Sequence, residues 1–154
     1  MYFALKLLHI LAVVIFLGNV ITGLFWKAHG DRTRDPRIMS HTMEGITRSD
    51  RWFTVPGVLL IVATGVVAAV VGGFPILGTG WIWQSIALFT VSGLIFGMQV
   101  APLQTRLRQM TTMAAAGSAW DADAYRRLSA RWEMWGLLAL VTPLAALALM
   151  VFKP

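Results

Sequence analysis

No cysteine occurs in the 154 residues. Disulfides, thiolate metal sites, iron–sulfur clusters and cysteine nucleophiles are therefore all excluded. Acidic residues are scarce, seven Asp and Glu against thirteen Lys and Arg. None of the seven lies inside the long apolar runs, which argues against a carboxylate-based ion transporter working in those runs. There is no glycine-rich phosphate loop, no histidine pair at metal-site spacing on one helix, and no recognisable nucleophile–base pair. Charge of either sign makes up only 13% of the chain, and the segment "GGFPILGTG" carries none.

Apolar residues are abundant: 57% of the chain, with a mean hydropathy of +0.69. They fall in four blocks, at about residues 3–25, 52–71, 81–100 and 135–152. A block of roughly 18–23 residues at ~1.5 Å per residue crosses the ~30 Å hydrocarbon core of a bilayer. The blocks have almost no polar face, so the core helices of a soluble bundle are a poor alternative. The reading is all-α, a single domain: an integral membrane bundle of four transmembrane helices, up-down. Trp52, Trp81, Trp83, Trp132 and Trp135 stand at block ends, where an indole prefers the headgroup level.

The basic residues set a direction. Lys27 and all ten arginines lie in two connecting segments, residues 27–51 and 101–133, whereas the termini carry only Lys6 and Lys153. The positive-inside rule puts both arginine-rich segments in the cytoplasm and both termini outside. The expected partners there are the lipid bilayer and its anionic lipid headgroups, and no nucleic acid. A cleaved signal peptide does not fit, because the charge follows the first apolar block and "TGLFWK" is no cleavage site.

Small residues suggest where helices meet. Gly93 and Gly97 in "GLIFG", and Gly65 with Ala69, are spaced for close backbone approach. They read as contacts inside one bundle, with a homo-oligomer or a membrane protein partner as the other use. Pro143 should kink the fourth helix, with Thr142 near the freed carbonyl. "RWF" at 51–53 and "RWE" at 131–133 hint at a repeat of two hairpins. "TRSD" before the second block reads as a helix cap, and Asp50–Arg51 and Arg131–Glu133 as ion pairs.

Within the blocks the polar residues are few. His9 lies about two turns into the first helix, too deep to snorkel as Lys6 can. Its plain role is a hydrogen bond to a neighbouring helix. Its sharper role is an axial ligand to haem iron or a proton-handling group. Trp81, Trp83 and Gln84 open the third helix at about the depth of His9, so the four together could flank a flat cofactor. Asn19, near mid-membrane, reads as an interhelical hydrogen-bonding group. His29 and His41, twelve apart, are weak metal candidates.

Several stretches carry a resemblance: "LKLLHILAVVIFLGNVITGLFWK", "DRTRDP", "FTVPG", "PLQ", "RRLSARWEMWG" and "LALMVFKP". Essentially the whole chain resembles a family of bacterial integral inner-membrane proteins classed as a domain of unknown function. That resemblance implies four spans and a bacterial inner membrane. "LKLLHI", the apolar run after it and Gly18 are also similar to the first helix of HemJ-type membrane protoporphyrinogen oxidases and of CopD-type copper-resistance proteins. The HemJ likeness implies a haem-binding role for His9, with haem b as the cofactor. The third helix departs from that pattern. Gln84 and Ser85 stand near its lysine position and Phe96 near its histidine position, so no second axial ligand is implied. The expected function is a non-catalytic structural, assembly or interaction role; the alternative is a haem- or porphyrin-associated redox protein.

Overall fold

The computed structural model describes residues 1–154. Four rods run α1 (Tyr2–Arg32), α2 (Pro36–Val71), α3 (Gly80–Ala115) and α4 (Ala122–Phe152). All four are long and apolar enough to cross a membrane. They alternate up and down, and there is no strand. Rods of 31 and 36 residues reach about 46 and 54 Å at ~1.5 Å per residue, beyond a ~30 Å hydrocarbon core. The surplus lies at the arginine-rich end, where the rods continue as a helical head.

The head arises because the arginine-rich segments are themselves amphipathic. Asp35 caps α2 by accepting from the Arg37 backbone N–H at 2.9 Å, and Pro36 fills the first helical position. Arg34, at φ 54°, turns the chain just before that cap. Met39, Met43 and Ile46 follow at helical spacing and are buried. They pack with Leu103 and Leu107 of α3 and Tyr125 and Trp132 of α4. Helix α4 begins behind Asp121, which accepts from the N–H groups of Asp123 and Ala124. The "TRSD" stretch is therefore no cap; the helix runs straight through it.

Two π-turns interrupt the rods, Asp50–Thr54 in α2 and Phe96–Val100 in α3. In each, an N–H bonds five residues back, Val55 to Asp50 and Ala101 to Phe96. Each is followed by a proline, Pro56 or Pro102. A proline inside a helix lacks a donor and crowds the carbonyl four residues earlier. The widened turn before it absorbs that misfit.

Pro143 is accommodated differently. Its missing N–H leaves the Ala139 carbonyl free, and the Ser92 hydroxyl of α3 donates to that carbonyl at 2.6 Å. Thr142, the nearer candidate in sequence, stands only at 3.5 Å. One helical heptad along, Ser85 donates to the Ala146 carbonyl at 3.2 Å. Ser85, Ser92, Ala139 and Ala146 are all buried. Small hydroxyl and methyl side chains thus hold α3 close to α4. Gly93 and Gly97 take no part in this contact: a Cβ at either would meet nothing within 4 Å.

In the apolar half the rods form two pairs, α1 with α2 and α3 with α4. Helices α2 and α3 do not touch there and meet only in the head. Phe16 of α1 and Phe89 of α3 bridge the pairs edge to face at 5.6 Å. The tryptophans divide. Trp52 is 69% exposed, as a belt residue should be, but Trp132 is 4% exposed and belongs to the head's core. The "RW" positions of the suspected repeat are therefore not equivalent.

Candidate functional site

His9 packs on α2. Its Nδ1 lies 3.0 Å from the Ile61 carbonyl and 3.2 Å from the Thr64 hydroxyl. A carbonyl only accepts, so Nδ1 carries a proton, and in the neutral imidazole Nε2 then keeps the lone pair. Gly65 makes this approach possible, because a Cβ there would stand 2.9 Å from His9 Cε1. Trp81, Trp83 and Gln84 lie on α3, whose apolar half packs chiefly on α4 and reaches α1 through Phe89. Trp81 meets Phe74 at 5.9 Å and the Lys153 ammonium at 5.3 Å. Trp83 and Gln84 are exposed. The structure does not bring these three to His9.

It gathers other polar residues instead, in two adjoining clusters. The first seals the α1–α4 seam in the head. Lys27 is 1% exposed, and its ammonium binds the Asp31 carboxylate and the Ser129 hydroxyl, with Glu133 at 3.7 Å. Tyr125 donates to Asp31 at 2.7 Å. The rings of Tyr125 and Trp132 lie 5.3 and 5.6 Å from the ammonium. Glu133 thus faces Lys27, where the sequence suggested Arg131. An ammonium removed from water survives only with such partners.

The second cluster starts at the α2 π-turn. Asp50 Oδ1 accepts from Thr54 at 2.8 Å and from Asn19 of α1 at 3.2 Å. Asn19 also donates to the Thr54 hydroxyl at 2.9 Å. Asp50 Oδ2 accepts from Gln104 of α3 at 2.9 Å. Gln104 in turn accepts from the Trp132 indole of α4 at 3.3 Å. One chain of hydrogen bonds so ties all four rods together at one level. Asp50 does not pair with Arg51. Asn19 does the interhelical bonding expected of it.

At this layer and above it the two helix pairs part around a cavity of about 340 Å³, whose wall also reaches Leu24 and Ile46 on the head side. Asn19, Asp50, Thr54 and Gln104 line its polar end, and Phe16, Val58, Phe89 and Phe96 line its apolar body. Residues of both π-turns contribute to the wall: Asp50 and Thr54, Phe96 and Val100. Val62 of α2 and Thr90, Gly93 and Leu94 of α3 border it and are exposed. That is the side where α2 and α3 do not touch, so the chamber opens sideways toward the region lipid would occupy. An apolar hollow with a few convergent polar groups is the usual form of a small-molecule site.

No group of three or more His, Asp or Glu gathers as a metal centre; His29 instead lies against Phe25 and Trp26 of its own helix. Nothing in the sequence links Asp50 to Gln104, 54 residues further on. The missed signal is the pair of prolines, Pro56 and Pro102, each at a boundary between polar and apolar sequence. Residues 3–154 match the model of a family described as a predicted integral membrane protein, DUF2269. The chain belongs to that family. No curated protein and no solved structure matches it.

Proposed function

We propose that this member of the DUF2269 integral membrane family is a non-catalytic binding protein of a bacterial inner membrane. It holds a small membrane-dissolved molecule in the chamber between its two helix pairs. The observation that carries this is the side-opening hollow at and above the Asp50 layer. The polar groups at its end spend their hydrogen bonds on joining four rods, which holds a hollow open rather than aligning a reacting pair. Ten arginines and Lys27 at one end support a cytoplasmic head bathed in anionic headgroups, with both termini outside.

The reading is tested on protein extracted gently from its own membranes. Native mass spectrometry should find a retained low-mass apolar adduct. Gly93→Phe should lose it, because the new ring enters open space at the chamber's edge. An identical adduct pattern in that variant refutes the chamber as the binding place.

His9 supports a second reading, haem association. An axial histidine characteristically donates its other ring nitrogen to a carbonyl, as His9 Nδ1 does to Ile61. The fit is limited to that single ligand, since Trp81, Trp83 and Gln84 stand elsewhere. A Soret band in haem-supplemented protein that vanishes in His9→Ala would favour this reading. A colourless preparation would end it.

A further inference from the structure

Asp50 is the only ionisable residue lining the chamber. A carboxylate offers about four acceptor positions. Asn19, Thr54 and Gln104 take three of them, two at Oδ1 and one at Oδ2. One acceptor position on Oδ2 is left over. No cation of the chain pairs with Asp50, and the buried Lys27 is committed to Asp31 and Glu133. Asp50 is half-buried, and an acid so placed among neutral donors alone is incompletely compensated, so that a cationic donor is the partner that completes it.

The placement also fits an amphiphile. Asp50 sits 21 residues from Val71, about 31 Å along α2 at ~1.5 Å per residue, so it lies near one edge of the hydrocarbon layer. A lipid-dissolved amine keeps its head at that depth. From Asp50 to Val62 the chamber wall extends about 18 Å in the same terms, running inward as an alkyl tail does. The volume of about 340 Å³ is at the small end of ligand sites (~300–1,000 Å³), room for one tail rather than two.

We propose that the chamber binds a single-tailed amphiphile with a primary-amine head, which enters from the bilayer between α2 and α3 and donates to Asp50 Oδ2. This rests on the binding reading above and names the class of its ligand. The test uses the full chain in phosphatidylcholine nanodiscs, with empty discs subtracted. Radiolabelled dodecylamine, dodecanol and dodecanoate are titrated in turn and bound label is counted by scintillation proximity. Dodecylamine should bind saturably and more tightly than the other two. Asp50→Asn should weaken the amine about tenfold or more, the value of one charge-assisted hydrogen bond, and leave dodecanol nearly unchanged. Gly93→Phe should weaken every probe that binds. Equal binding of amine and alcohol, or an amine indifferent to Asp50→Asn, overturns the amine assignment while the chamber reading stands. Absence of saturable binding by all three probes overturns both. Should Asp50→Asn fail to fold, the head-group comparison on the unaltered chain and Gly93→Phe still decide.

Discussion

Removing the charge of Lys27 is the sharpest perturbation of this fold. Lys27→Met keeps an unbranched side chain of similar reach and discards the ammonium. The Asp31 carboxylate then faces Tyr125 and Ser129 without a cation. Breaking a fully buried pair from one side costs roughly 3–5 kcal/mol. Here Asp31 is 22% and Glu133 48% exposed, so both recover part of their hydration. Their two neighbouring hydroxyls also still serve them. A loss of about 2 kcal/mol follows, below the buried-pair range because of that exposure. At 2–4 °C per kcal/mol for a chain of this size, the unfolding midpoint in mild detergent should fall by about 4–8 °C. The double variant Lys27→Met/Asp31→Asn should recover part of that fall, because most of the penalty belongs to the stranded carboxylate. A midpoint unchanged in Lys27→Met, or a double variant at least as unstable as the two single losses summed, would refute this account of the seam.

Other expectations follow from single contacts. Gly65→Ala drives a methyl to 2.9 Å from His9 Cε1 and should destabilise by about 1–3 kcal/mol, whereas His9→Ala in the same chain should restore much of it; thermal melts of the three variants decide. Ser92→Ala strands the Ala139 carbonyl freed by Pro143 and should cost about 1 kcal/mol, but distinctly less when Pro143 is also replaced by Ala, and equal costs in both backgrounds would dismiss the pairing. A periplasm-active reporter fused after Pro154 should be active, and activity of a cytoplasmic reporter there would reverse the proposed orientation.

The sequence made the four apolar rods readable because lipid demands long apolar runs, and nothing short or patterned imitates them. The head was harder to read. Met39, Met43 and Ile46 form a stripe only one residue wide among polar neighbours, and charge in the segment suggested a connector. The Asp35–Pro36 pair was the local sign of a helix start. Trp132 looked like Trp52 because both follow an arginine at the edge of an apolar run. Only tertiary packing tells one indole from the other. The partner of His9 was equally hidden, since depth along a helix is countable from sequence and the choice of neighbouring helix is not. Asp50, Gln104 and Asn19 lie far apart in the chain, and only the π-turns rotate the first two toward a common centre.

The pairing of rods also bears on how the molecule is made. Both close pairs in the apolar half, α1 with α2 and α3 with α4, join neighbours in the chain. The first pair can therefore zip together, with His9 against Gly65, while the second is still being synthesised. Gln104 and Trp132 belong to the later pair, so until it arrives Asp50 has only Asn19 and Thr54 for company. The hollow itself comes into being at the last docking step, and a nascent first hairpin presents its acid to whatever chaperone or lipid is near.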